Sequence, residues 1–182
     1  SKMFTAPNGK VYHDNAIIRA RINRTNMFHN DREAFLIQME KEINALIRKA
    51  TKLGFKPTVR LNGTSDIRWE NIKFENGDTL FTRFPDLQFY DYTKINNRKN
   101  VPANYHLSWS YSEANPRYTK GMPSNMNPVV VFNGNMPDTF LNMKVIDGDE
   151  NDLRFLDDSG IVVGLKAKGS AKKDTSGFVI TA

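Results

Sequence analysis

The chain of 182 residues contains no cysteine. This excludes a disulfide framework, a thiolate metal site, an iron–sulfur cluster and a cysteine nucleophile within the chain. It also contains no apolar run close to the roughly 20 residues that cross a bilayer, so a transmembrane protein is excluded. No apolar signal segment follows Ser1, which predicts an intracellular protein.

The residues that are present indicate a folded, basic chain. Hydrophobic residues make up 39% and aromatic residues 11% of the sequence, which is enough for a core. The net charge of +6 is uneven: residues 1–60 hold 12 basic and 5 acidic residues, whereas residues 61–182 hold 14 and 15. We expect one α/β domain over residues 1–182 with a basic N-terminal third.

Apolar residues recur at steps of three and four between residues 31 and 53, which predicts an amphipathic helix. Asn30 is the predicted N-cap, and Gly54 follows the helix as the residue that ends it. A weaker helix is expected over residues 14–26, with Asp14 as its cap and an inward stripe of Ile17, Ile18 and Ile22.

After Gly54 the pattern changes to short β-branched and aromatic stretches that end at turn residues. Six strands are predicted, over residues 58–61, 88–92, 105–109, 128–132, 144–146 and 161–165. Residues 67–84 predict a broken helix, and residues 169–176 a flexible linker. The predicted fold class is therefore α/β, with a mainly parallel sheet of five or six strands that forms an open or partial barrel.

Polar side chains follow the predicted strands at their carboxyl ends, where the loops of parallel sheets converge on ligands. The candidate ligand-binding residues are Asn62, Ser65, Asp66, Asp91, Lys94, Ser112 and Glu113. Two alternatives stay open. The first is that these are simply turn and helix-cap residues, because these residue types are common at such positions. The second is that the three carboxylates of the set, Asp66, Asp91 and Glu113, together bind a divalent metal ion. No metal site is predicted, and the three histidines lack the spacing of a zinc site.

The basic N-terminal third predicts contact with nucleic-acid phosphates if its two helices pack together. The candidate residues are Arg19, Arg21, Arg24, Arg48, Lys49 and Lys52. Four aromatic residues could stack on bases, or could equally belong to the core: Tyr90, Tyr92, Trp109 and Tyr111.

Several runs resemble the gene-product-88 family of bacteriophage proteins, over most of residues 16–181. They are residues 60–67 (RLNGTSDI), 89–94 (FYDYTK), 108–113 (SWSYSE), 145–149 (VIDGD) and 164–169 (GLKAKG). The resemblance implies a phage origin, a poorly defined function and the host cytoplasm. The strand-end pattern is also distantly similar to the partial barrels of radical S-adenosylmethionine proteins. That similarity implies a cysteine-containing segment upstream, which this chain lacks, so we expect a fragment or a member that has lost it.

Three functions follow as hypotheses. The first is a nucleic-acid-associated phage protein, and the second is an enzyme or enzyme remnant that binds a nucleotide-like ligand at the strand ends. The third is a protein that contacts a host protein without catalysis. No cofactor is identified, and the sequence leaves open whether the protein is an enzyme.

Overall fold

A computed structural model describes residues 3–5, 11–13, 16–112 and 122–181. The chain divides into two compact units. The first comprises residues 1–56 and 73–80, and the second comprises residues 57–72 and 81–182. The single domain expected from the sequence stays a prediction. None of the helices in these ranges is long and apolar enough to cross a membrane.

The first unit is built around two consecutive helices, α1 (Ala16–Asn30) and α2 (Arg32–Lys52). Two short strands, β1 (Met3–Thr5) and β2 (Val11–His13), pair antiparallel. Asp31 caps α2 by accepting a hydrogen bond from the backbone N–H of Ala34 at 3.0 Å, so the predicted cap at Asn30 is wrong by one residue. Gly54 follows α2 in the left-handed region (φ +74°), as predicted, which suits a residue without a Cβ.

The weaker predicted helix runs four residues further than expected, to Asn30. Its predicted cap, Asp14, lies outside the described residues. The predicted inward stripe is also wrong, because α1 has no buried residue and Ile17 is 66% exposed. By contrast, Leu36, Ile43 and Ala50 of α2 are buried at intervals of seven residues, along one side of the helix.

The second unit contains a sheet of eight strands. The strands are β3 (Thr58–Arg60), β4 (Gln88–Thr93), β5 (Tyr105–Ser110), β6 (Pro128–Asn133), β7 (Thr139–Phe140), β8 (Met143–Asp147), β9 (Val162–Lys166) and β10 (Val179–Thr181). Their order is β3-β4-β5-β6-β9-β8-β7, and β10 pairs with β6. All pairs are parallel except β7 with β8.

The predicted open, mainly parallel α/β sheet is confirmed, and all six predicted strands are present. The number of strands was underestimated, because β7 and β10 have only two and three residues and little periodicity of their own. The predicted broken helix consists of a 3₁₀ turn (Trp69–Asn71) and α3 (Leu80–Arg83). The predicted flexible linker begins with a 3₁₀ turn over Gly169–Lys173.

Alternation along the strands gives the sheet two different faces. On one of them, Phe81 of α3 packs against the rings of Phe89 and Tyr105, with centroids 4.9 Å and 4.7 Å away. We call it the α3 face, and it also carries the fully buried Trp109 and Phe132. This face holds much of the aromatic core of the unit.

The opposite face is covered by the segment that connects β8 to β9, and we call it the loop face. In that segment the ring of Phe155 lies 5.7 Å from the ring of Tyr90. Gly148 is buried where the segment begins. A Cβ there would lie 2.3 Å from a Val163 methyl group and 2.9 Å from Nη1 of Arg154. The absence of a side chain at residue 148 therefore allows the segment to lie close to the sheet.

We predict that Gly148→Ala lowers the free energy of unfolding by about 1–3 kcal/mol, because the added methyl group overpacks the contact with Val163. Urea denaturation measures the change. Gly63→Ala is the matched control, since no atom lies within 4 Å of its added Cβ. Equal stability of the two variants would show that the segment does not pack against β9 as described.

Candidate functional site

On the α3 face, the strand ends are joined by a buried carboxylate. Asp91 on β4 is 1% exposed. Its Oδ1 accepts the backbone N–H of Asn62 at 2.8 Å. Its Oδ2 accepts the Asn62 amide at 3.1 Å and the Tyr105 hydroxyl at 2.7 Å. One side chain therefore connects the end of β3, the middle of β4 and the start of β5.

The carbonyl oxygen of the Asn62 side chain organises the loop that follows β3. It accepts hydrogen bonds from the Ser65 hydroxyl (2.8 Å), the Ile67 backbone N–H (3.0 Å) and the Trp69 indole (3.0 Å). The Asn62 amide also donates to the Ile67 carbonyl at 3.1 Å. All the hydrogen-bonding groups of the Asn62 side chain are thus used within the protein.

A second cluster lies beside the first and is built around Asp66. Its carboxylate accepts the Thr93 hydroxyl and the Lys94 backbone N–H, each at 2.7 Å, and lies 3.4 Å from Nη1 of Arg98. Arg98 also makes a two-pronged ion pair with Glu70, at 2.6 Å and 2.5 Å, and both side chains are fully buried. Such fork-shaped pairing fixes the geometry as well as the charge.

The electrostatics of the Asp91 cluster keep the proton on the Tyr105 hydroxyl. Burial raises the pKa of Asp91, and the hydrogen bonds from Tyr105 and Asn62 oppose that rise. Burial and the neighbouring Asp91 carboxylate both raise the pKa of the Tyr105 hydroxyl. Tyr105 therefore keeps its proton at neutral pH and remains the donor of the pair.

The remaining predicted ligand residues have different surroundings. Ser65 is exposed, while Ser112 is buried. Lys94 is exposed, and its Nζ lies 4.5 Å from the ring centroid of Phe178. Glu113 lies outside the described residues. The structure brings Asn62, Asp66 and Asp91 to one end of the sheet, and their roles as ligand residues stay predictions.

The carboxylates do not form a metal centre in the described part of the chain. No group of three or more His, Cys, Asp or Glu residues is arranged there to hold a metal ion. The oxygens of Asp66 and Asp91 accept hydrogen bonds from side chains and backbone of the protein instead. Glu113, the third carboxylate of the alternative metal site, lies outside the described residues, so that alternative stays a prediction.

On the loop face the strand ends line an open cavity of about 520 Å³. Three side chains meet at its rim. Nη1 of Arg60 lies 3.1 Å from Oδ2 of Asp152, and the Tyr92 hydroxyl donates to the other oxygen of that carboxylate. The Arg60 guanidinium also lies over the Tyr92 ring, 4.6 Å from its centroid. Burial, together with Asp152, raises the pKa of Tyr92, so this hydroxyl stays protonated.

The segment that bears Asp152 is anchored by Arg154, which is 2% exposed. Its Nη2 donates to the Asn151 carbonyl at 2.7 Å, and its Nη1 lies 3.3 Å from Oδ2 of Asp157. Separation of a buried cation from its neighbouring carboxylate costs free energy. The anchor therefore helps to hold Asp152 over the sheet.

Sequence analysis does not identify this cavity, because its rim residues Arg60, Tyr92 and Asp152 are far apart in the sequence. Asp91 on the α3 face was selected, whereas its neighbours Tyr90 and Tyr92 point to the loop face. The period-two alternation of β4 was the signal that could have separated the two faces.

The six predicted nucleic-acid residues are all exposed on the helices of the first unit. The ring of Phe28 in α1 lies 5.3 Å from that of Phe35 in α2, and Arg24 lies 3.6 Å from Glu42. Since residues before the turn pair with residues after it, α1 folds back along α2.

Two of the aromatic residues suggested for base stacking are in the core. Trp109 is 0% exposed and Tyr111 is 8% exposed, and their rings meet edge to face. Neither can present a ring face to a base without rearrangement of the core. Tyr90 and Tyr92 are half-buried on the loop face, and both hydroxyls donate to Asp152.

The comparison with known families concerns nearly the whole chain. The family described as gene product 88 matches residues 6–182. The chain belongs to the gene product 88 family. This is a family of phage proteins with a poorly defined function, as the resemblance implied. No curated protein and no solved structure matches the chain, so the similarity to radical S-adenosylmethionine barrels stays a prediction.

We predict that Asp91→Asn lowers the free energy of unfolding by about 1–3 kcal/mol. The substitution puts an amide nitrogen in place of one of the two carboxylate oxygens, which together accept hydrogen bonds from the three donors around them. Asp86→Asn is the matched control, since Asp86 is exposed, and its effect should stay within about 0.5 kcal/mol. Chemical denaturation of both variants measures the difference. An Asp91→Asn variant as stable as the control would contradict the structural role of this carboxylate.

Proposed function

We propose that this phage protein associates with nucleic acid through α1 and α2, in the host cytoplasm. The observation that carries the proposal is the position of the cations on α2. Successive helical residues are about 100° apart, which places Lys41, Arg48 and Lys52 about 140° to 180° from the buried Ile43. These three cations therefore lie along the side of α2 that faces away from its buried residues.

The acidic residues of α2 lie elsewhere on the helix. By the same spacing, Glu33, Glu40 and Glu42 lie about 60° to 100° to either side of Ile43. Glu42 pairs with Arg24 of α1. No ion pair holds Arg48, Lys49 or Lys52 within the described residues, so these cations keep their charge available for phosphate oxygens.

The position of α1 extends the basic surface. Its contacts, at Phe35 and Glu42, lie on the same side of α2 as Lys49. Arg24 of α1 contacts Glu42 at the middle of α2, and Arg19 and Arg21 are exposed further along α1 from this contact. Two helices therefore contribute cations to one surface, which supports binding to a phosphate backbone.

The proposed binding is independent of base sequence. The surface consists of arginine and lysine side chains, which contact phosphates and give little information about base edges. With Trp109 and Tyr111 buried, stacking on them adds nothing. Double-stranded and single-stranded molecules should therefore both bind, with modest affinity and strong dependence on salt.

We predict that replacement of Arg48, Lys49 and Lys52 by Glu abolishes binding to labelled DNA and RNA of any sequence, measured by fluorescence anisotropy at low salt. For the unmodified chain, the plot of log affinity against log salt should have a slope of about −3 to −5, as expected for about four to six phosphate contacts. The slope tests the contact number independently of the variant.

The control replaces Lys144, Lys172 and Lys173 by Glu, which changes the net charge equally in the second unit, at three other exposed lysines. This variant should keep most of its affinity. Equal loss in both triple variants would show that net charge alone matters. If the unmodified chain does not bind at tens of micromolar, the proposal is wrong. Contact with a host protein would then be favoured, through exposed apolar side chains such as Ile17 and Phe55.

A further inference from the structure

The cavity on the loop face lies in the second unit and is separate from the proposed nucleic-acid surface. Its volume of about 520 Å³ falls within the range of about 300–1,000 Å³ that is typical of small-molecule sites. Val129, Val131 and Leu165 give it an apolar floor, and Tyr92 and Phe178 add aromatic rings. From its lining we propose that this cavity binds an uncharged nucleoside, that is, a flat heteroaromatic base that carries a sugar.

The apolar part of the lining suits the base. Parallel pairing places Val129 beside Val163 and Val131 beside Leu165, so branched side chains of β6 and β9 form a continuous surface. Aromatic side chains such as Tyr92 and Phe178 favour stacked or edge-to-face contacts with a planar ring. A heteroaromatic base can bury its faces here and keep its polar edge toward the rim.

The polar part of the lining suits the hydroxyl and amino donors of a nucleoside. Asp149 and Asp152 both line the cavity, and the Asp152 side chain is 49% exposed. An ionised carboxylate has about four lone-pair sites, so hydrogen bonds from the protein leave some of this capacity unused. Asp152 already accepts hydrogen bonds from Arg60, Tyr90 and Tyr92, which fixes its position for one further donor.

The charges at the rim favour a ligand without phosphate. Asp152 is paired with Arg60 at 3.1 Å, and Asp149 is paired with Lys168 at 2.7 Å. Each of these carboxylates thus has a cation beside it, and Arg60, which also lies 3.9 Å from Oδ1 of Asp91, is the only cation in the described lining. The exposed Lys94 is outside the lining, with its Nζ 4.5 Å from the ring centroid of Phe178. A phosphate would approach two carboxylates and would have to displace one of them from its partner. This argues against the nucleotide-like ligand expected from the sequence.

The test titrates adenosine, guanosine, cytidine and uridine into the full chain, with saturation-transfer NMR to detect binding and calorimetry to measure affinity. Concentrations up to about 2 mM cover the submillimolar affinity expected for a ligand of this size. The corresponding 5′-monophosphates and free ribose are the comparison ligands. We expect at least one nucleoside to bind, its monophosphate to bind at least about tenfold more weakly, and ribose not to bind.

Ser110→Trp places a large ring in the cavity and should weaken nucleoside binding at least about tenfold. Thr139→Trp adds the same ring at an exposed position on the edge strand β7 and should leave the affinity unchanged. If Ser110→Trp does not fold, as judged by its amide NMR spectrum, Val131→Phe takes its place as the blocking variant. A monophosphate could also contact the basic surface, so each monophosphate is compared with its nucleoside in the chain that carries Arg48→Glu, Lys49→Glu and Lys52→Glu. The outcome at the cavity is then independent of nucleic-acid binding.

Three outcomes would overturn the proposal. The first is the absence of binding for all four nucleosides. The second is tighter binding of the monophosphates, which would contradict the charge argument. The third is equal affinity in the blocking variant and in Thr139→Trp, which would place the ligand outside this cavity.

Discussion

The buried carboxylate of Asp91 is the interaction on which the rest of the second unit depends. It accepts three hydrogen bonds, from both nitrogens of Asn62 and from the Tyr105 hydroxyl, in a setting where an unpaired charge would be costly. Asn62 in turn holds the loop that carries Ser65 and Trp69. A single charged group therefore fixes the relation of three parallel strands and the path of the chain after β3.

The two faces of the sheet differ in how their polar groups are used. Polar groups at the α3-face end of the sheet, including Asn62 and Asp66, are occupied by hydrogen bonds within the protein. On the loop face, β4 presents Tyr92 beside Arg60, and the β8–β9 segment adds Asp152. The same strand ends thus carry a hydrogen-bond network on the α3 face and line an open cavity on the loop face.

The sequence predicted the fold class and the six longer strands because β-branched and aromatic runs between turn residues are a local signal. It predicted α2 because the recurrence of apolar residues at steps of three and four is also a local signal. It failed where the outcome depends on distant residues. The exposure of Ile17 follows from how α1 is packed, and the internal role of Asn62 depends on Asp91, 29 residues away. Which face a strand-end residue points to could be predicted only with the strand register, because a shift by one residue exchanges the faces.

Native-state hydrogen exchange at the Asn62 amide tests the central role of Asp91 most directly. This N–H donates to a fully buried carboxylate and lies outside the strand ladder, two residues after the end of β3 at Arg60. Our account predicts that it exchanges only when the whole second unit unfolds, with a protection similar to that of β4 and β5 amides. The neighbouring Gly63 and Thr64 amides, in an exposed turn, should exchange much faster. Exchange of Asn62 as fast as that of Gly63 and Thr64 would contradict the account.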